Sequence, residues 1–482
     1  MSIQALRTEM SILNMRTRMP FRYGIATLTS LPHLFVRITF DIDGQRVDGI
    51  AAEGLAPKWF TKDPATSVEA DVADMLAVIR AGCGFAEQAG SCASVFALWR
   101  HVYAAQAEWA QSQPHPPLLW SFGVTLLERA AIDAWCKAKS VTFADAVRSG
   151  ALGLEPGDVH AELKGASPAS LLPAQPSRRI AVRHTVGLGD PLRDEDIPAP
   201  ERVDDGLPQS LAACLQRYGL EYLKIKLMGD GPADRERLKA IAELLGPRAA
   251  TIAFTLDGNE QYRSVDAFRD FWASLTGDRE LDAFLSRLLV VEQPMHRDVA
   301  LADATAEGLR RWRDRPPIII DESDAELHSL PTALDAGYAG TSHKNCKGVF
   351  KGLANACLLA HRRSRDPDRP FVLTGEDLAN VGPVALLQDL AVMATLGLEH
   401  VERNGHHYFH GLAMLPAPLQ QQVLAEHGDL YHADAASTPT LHVAGGRIDL
   451  TSVLAAPFGC AVSLDMTMFE PASEWRFASL GV

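Results

Sequence analysis

The chain has 482 residues, 47% hydrophobic and 22% charged, a balance that excludes an extensively disordered or fibrous protein. Its net charge is −14 and its basic residues form no long run, so the footprint that a nucleic-acid backbone requires is missing. No stretch approaches the roughly 20 apolar residues that span a bilayer, and the opening MSIQALRTEMSILNMRTRMPF lacks the continuous apolar core of a secretory signal. A cytoplasmic protein without nucleic-acid or membrane partners is expected.

Taken in chain order, PHLFVRITFDIDGQRVDGIAAEG reads as two strands joined at Asp43-Gly44, a dipeptide suited to a turn with positive φ. From about residue 66 to 147 apolar residues recur at three- and four-residue spacing, as in SVFALWRHVYAAQAEWAQ and LLERAAIDAWCKAKS, which predicts helices. An α+β unit over 1–153 results. Residues 154–178, rich in Pro and Ser, read as a connector. The seven cysteines form no CxxC pair and read as reduced thiols, Cys136 and Cys357 as small core residues.

Over 180–415 a βα alternation follows. The apolar runs RIAVRHTVG, YLKIKLM, ATIAFTLDGN, RLLVVEQP, PPIIIDES, AGTSHKNC and PFVLTGED alternate with helix-like stretches. Seven or eight such units in series favour a closed parallel barrel over an open sheet. The remaining residues, 416–482, break the rhythm. They include LTSVLAAPFGC, whose apolar surface is expected to complete the N-terminal unit.

Four predicted strands end in acids: Asp257, Glu292, Asp321 and Glu376. In a βα-barrel the C-terminal strand ends share one rim, where active sites are built, so these carboxylates converge. The first three come from consecutive units. Crowded carboxylates repel unless a cation lies among them, and all-oxygen ligation suits Mg²⁺. On the preceding strand Lys224 and Lys226 share a face, because side chains alternate with a period of two. That face is the barrel interior, where a lysine of depressed pKa acts as a general base. Lys344 follows on the strand after Asp321, across the metal from the lysine pair.

The ordered series KIK, LDGNE, VEQP, DES and a lysine on the sixth strand resembles the enolase superfamily, most closely its muconate-lactonizing-enzyme subgroup within the mandelate racemase/muconate lactonizing enzyme family. The similarity extends to PFRYGIATLTSLPHLFVRITFDIDG, which looks like capping-domain strands, and to LLERAAIDAWCKAKS, which looks like the helix before the barrel. The resemblance implies an α/β fold, a modified (β/α)₇β TIM-type barrel under an α+β cap. It implies Asp257, Glu292 and Asp321 as Mg²⁺ ligands, Lys226 and Lys344 as bases on opposite substrate faces, and Lys224 as support for Lys226 and a contact to the substrate carboxylate. It also implies removal of the proton α to a carboxylate with stabilisation of the enediolate, a pattern known for this superfamily. Racemisation, epimerisation or cycloisomerisation is expected; the alternatives are acid-sugar dehydration and a catalytically idle barrel that binds a small acid. A homo-oligomer acting on a small-molecule carboxylate is expected.

Ser342, His343 and Asn345 depart from the more apolar sixth strand of that family, and the seventh strand, ending in Gly375-Glu376, offers no histidine base. Cap loops around MPFRYGIA and EGLAPKWFTKDP are expected to set specificity, with Arg22 meeting a distal anion and Trp59 or Phe60 an apolar group. Plainer readings stand beside these. The lysine pair could snorkel to solvent, DES could cap a helix, and Glu376 could cap a helix or bind a substrate amine. His406, His407 and His410 in HHYFH read as a surface or cap-contact loop rather than a metal site, and GLG at 187–189 as a loop rather than a dinucleotide fingerprint.

Overall fold

A computed structural model describes residues 2–481. The N-terminal unit opens with an antiparallel meander of β1 (Ile3–Tyr23), β2 (Ala26–Ile42) and β3 (Gln45–Gly54). Asp43 and Gly44, both at positive φ, make the turn between β2 and β3, where the sequence predicts it. Against this sheet pack α1 (Val68–Gln88), α2 (Val95–Ala110) and α3 (Pro117–Lys139). Ser67 and Ser94 cap the first two by accepting hydrogen bonds from the backbone N–H groups of Ala70 and Ala97.

α3 is buried along nearly its whole length because it lies between the cap and the barrel. Its polar residues are matched on both sides. Asp133 accepts from the Ile50 amide and Arg129 donates to the Ala52 carbonyl, while Glu128 accepts from the amides of Val349 and Phe350 on a barrel helix.

Eight parallel strands form the barrel: β4 (Arg179–Val186), β5 (Tyr222–Lys226), β6 (Ala253–Asp257), β7 (Leu288–Glu292), β8 (Ile318–Ile320), β9 (Gly340–His343), β10 (Val372–Gly375) and β11 (His400–Arg403). Each pairs with the next, and β11 pairs with β4 to close the ring. This is the TIM-type barrel that the βα rhythm predicts. At Gly340 a Cβ would lie 1.8 Å from the Val372 carbonyl oxygen, so only glycine lets β9 approach β10 there. Val290 and Ile319 form with Ala339 and Val372 a small apolar cluster separate from the main core. Val290 shares the inward face of Glu292, which puts this cluster on the barrel floor.

After β11 the chain adds a small hairpin, β12 (Tyr431–Ala433) with β13 (Pro439–Leu441), and β14 (Arg447–Asp449), which runs antiparallel along the start of β4. The helix Thr451–Ala455 packs on the barrel helix Ala385–Thr395, and Phe458 lies against Phe143. Further on, β15 (Glu470–Pro471) pairs with β1, Phe469 stacks on Phe35, and the Trp475 indole donates to Asn14. No described helix is long and apolar enough to cross a membrane.

Candidate active site

Lys226, Asp257 and Glu292 are the last residues of their strands, and Asp321 and Lys344 follow theirs directly. All five therefore reach the same rim. β5 and β9 lie four steps apart in a ring of eight, so Lys226 and Lys344 stand on opposite walls. Lys226 Nζ is 2.8 Å from Asp257 Oδ2, while Lys344 pairs with Asp321 and lies 3.8 Å from Glu292 Oε1. The Lys344 ammonium also lies over the Trp59 ring, 5.0 Å from its centroid.

Lys224 occupies the centre of a carboxylate cage. Its Nζ lies 2.7 Å from Glu292, 3.2 Å from Asp257, 2.5 Å from Glu376 and 3.1 Å from Glu402. Burial pushes its pKa down, but the four carboxylates outweigh burial and hold it well above the ordinary lysine value. Lys226 and Lys344 are raised for the same reason, burial opposing and Asp257 or Asp321 prevailing. Without a cation among them the carboxylates are offset by the lysines themselves; the depressed lysine pKa expected from the sequence belongs to the metal-bound site. Asp257 is held down at about 2, with burial opposing and Lys224 and Lys226 prevailing, and Asp321 lies well below the carboxylate range beside Lys344 and Lys347. Glu292 moves the other way. Burial and the neighbouring Glu376 push it well above its usual value.

Several supporting residues carry no signal in the sequence. Glu402 on β11 holds Lys224 and accepts from Thr185, yet HVER has no apolar run to mark a strand. Gln293, at positive φ, accepts from the Asp321 amide through its side chain and so fixes that carboxylate's backbone. Lys347 donates to Asp321 and Ser342 from behind, whereas Lys344 faces the cavity.

The cavity, of about 50 Å³, is floored by the lysines, Asp257 and Asp321 and roofed by the cap. Both cap segments named in the sequence reach it: Phe21, Tyr23 and Gly24 from one, Ala56, Trp59 and Lys62 from the other. The second is clamped to the barrel. Arg297 forks onto Glu260 at 2.7 and 2.8 Å and donates to the carbonyls of Trp59 and Phe60. Glu322 beside this fork is pushed up to about 8 by burial and by Glu260. Two sequence candidates stand elsewhere. Arg22 is partly exposed and pairs with Glu201, away from the cavity lining. Glu376 is buried between Lys224 and Arg183 and does not line the cavity.

No family model matches the chain, and no curated protein matches it. Solved structures do. The chain is similar to a mandelate racemase/muconate lactonizing protein from Herpetosiphon aurantiacus, at 17% identity, a TM-score of 0.57 and coverage of 96% of this chain and 99% of that one. It is similar to 2-chloromuconate cycloisomerase from Rhodococcus opacus 1CP, at 15% identity and a TM-score of 0.62, covering 96% and 98%. A dipeptide epimerase from Enterococcus faecalis V583, complexed with Mg and the dipeptide L-Leu-L-Tyr, gives 15% identity and a TM-score of 0.58, covering 95% and 99%. The capped-barrel fold is therefore shared with these proteins over nearly the whole chain.

Proposed function

We propose that the chain is a Mg²⁺-dependent enzyme that removes the proton α to the carboxylate of a small-molecule acid, with racemisation, epimerisation or cycloisomerisation as the outcome. The observation that carries this reading is the pair Lys226 and Lys344, set on opposite walls of one cavity and each tied to a different carboxylate of a buried set. The similar folds of a cycloisomerase and an epimerase support the reaction class.

The residues present fit a divalent cation. Asp257, Glu292 and Asp321 are buried on neighbouring strands, and among the described residues the Glu292 oxygens are met only by the ion pairs to Lys224 at 2.7 Å and Lys344 at 3.8 Å. Asp257, Glu292 and Asp321 would hold Mg²⁺, all three being hard oxygen donors. When bound, the ion supplies positive charge to a substrate carboxylate whose α-carbon is losing a proton.

Lys226 in its neutral form takes the α-proton from one face: the Cα–H bond breaks and an N–H bond forms. Lys344 as the ammonium returns a proton to the other face, breaking N–H and forming C–H. Reversing the two roles inverts the opposite configuration. Trp59 and the cap aromatics cover the cavity and exclude water, and Lys224 keeps the cage of carboxylates from repelling itself open.

The test is proton NMR in D₂O with a library of carboxylic acids and Mg²⁺ present. Lys344→Ala should leave α-proton exchange of one enantiomer and Lys226→Ala that of the other, while each abolishes racemisation. Loss of both exchanges in both variants, with Mg²⁺ binding intact by calorimetry, would refute the two-base reading in favour of one base and one acid. Unchanged Mg²⁺ affinity in Asp257→Asn and Glu292→Gln would refute the ligand assignment.

A further inference from the structure

β4 carries a second group of chemically active side chains, on its other face. Arg183 and Thr185 point into the barrel, to Glu376 and Glu402. The alternation of the strand therefore sends His184 outward, behind the wall. There it meets Cys214, from the helix Leu211–Tyr218, and His407, from the turn after β11. All three are buried, and one ligand atom of each lies within 4.8 Å of the other two. Cys214 Sγ is 3.7 Å from His407 Nδ1, and the rings of His184 and His407 are 4.7 Å apart.

A closed core would answer every buried nitrogen, and this one does not. His184 is 2% exposed, and its Nδ1 has no hydrogen-bond partner. An imidazole binds metals through a neutral ring nitrogen, and this one is unoccupied by any hydrogen bond. Two imidazoles and a thiol are a borderline-soft set unlike the oxygen-only set of the cavity, and they suit Zn²⁺. Tetrahedral Zn²⁺ ligands stand about 3.3–3.8 Å apart, so closing this group requires movements of roughly 1 Å. His406 lies edge-on to His184, with centroids 5.5 Å apart, and lines an outer groove together with His410, His432 and His442.

We propose that His184, Cys214 and His407 bind a zinc ion that staples the first barrel strand to the turn following the last. The position explains what the ion does. β4 and β11 meet at the seam of the barrel, more than two hundred residues apart in sequence, and the three ligands tie that seam from outside. Water or His406 completes the coordination. In the metal-free protein Cys214 carries S–H, as a free thiol does near neutral pH; zinc uptake breaks that bond, forms Zn–S, and releases the proton to solvent.

The experiment uses the full chain, stripped with a chelator and then titrated with Co²⁺ while Mg²⁺ is held in saturating excess to occupy the cavity carboxylates. A thiolate-to-cobalt charge-transfer band should grow to one equivalent and vanish on addition of Zn²⁺. Calorimetry of Zn²⁺ uptake in two buffers of different ionisation enthalpy should report one proton released. Cys214→Ser should lose the band and the proton, and His407→Gln should weaken zinc by at least the roughly 10–100-fold that loss of an outer-shell partner costs. Added Zn²⁺ should raise the melting temperature of wild type and not of Cys214→Ser. Absence of the band in wild type, its persistence in Cys214→Ser, or unchanged zinc affinity in both His184→Gln and His407→Gln overturns the proposal. Should Cys214→Ser fail to fold, the two histidine variants decide alone.

Discussion

Arg297→Met should free the cap segment that roofs the cavity. The guanidinium makes four side-chain hydrogen bonds, two to Glu260 and one each to the carbonyls of Trp59 and Phe60, and Glu260 itself is fully buried. Breaking a buried ion pair from one side costs about 3–5 kcal/mol. The lower end applies here, because Lys62 remains 3.2 Å from Glu260. At 1.36 kcal/mol per decade, about 3 kcal/mol makes local opening of residues 55–62 about 10²-fold more frequent. Hydrogen exchange read by mass spectrometry on a peptide spanning that segment measures the change directly, and β6 and β7 peptides serve as the reference. Arg297→Met combined with Glu260→Gln should recover part of the protection, since the stranded buried charge is then gone. Exchange unchanged from wild type in Arg297→Met would show that the fork does not hold the roof.

His33 on β2 is 1% exposed, and burial, assisted by Arg129, lowers its pKa to about 3. Its folded pKa lies below the unfolded value of about 6.5, so the stability it contributes is complete above pH 6.5 and is lost as pH falls, by about 2 kcal/mol at pH 5. Urea unfolding at pH 7 and pH 5 should therefore show a smaller loss in His33→Leu than in wild type; equal losses would contradict this. A chain ending at residue 463 loses β15, Phe469 and Trp475 from the cap, and truncating a buried Phe or Trp alone costs about 3–5 kcal/mol. It should melt well below the full chain, and an unchanged melting temperature would contradict the contribution of these residues to the cap.

What the sequence discloses follows from where each signal resides. Asp257, Glu292 and Asp321 are readable because each ends an apolar run, and the run fixes both the strand and the height of its last residue. The turn at Asp43-Gly44 is readable because positive φ at both positions restricts composition. β11 is hidden because His400, Glu402 and Arg403 replace the apolar run with charge, and with it goes Glu402, the partner of Lys224. The carboxylate cage around Lys224 could not be read because its ion-pair distances are set across several strands. Arg22, near the end of β1, pairs with Glu201, a partner 179 positions away that no local pattern announces. His184, Cys214 and His407 lie far apart in the chain, and only the ring closure brings them together.

The pairing of β1 with β15 also sets an order in time. Ser11 and Ile12 meet Pro471 and Glu470, partners some 460 positions later in the chain. At roughly 5–20 residues per second, a ribosome delivers those partners about 25–90 s after β1 has been made. Throughout that interval β2 can cover one edge of β1 while the other lies open, a template for strands of other nascent chains. Arg7 and Glu9 stand on that strand, the former largely exposed, and charges of this kind discourage wrong pairing while the right partner is still being synthesised.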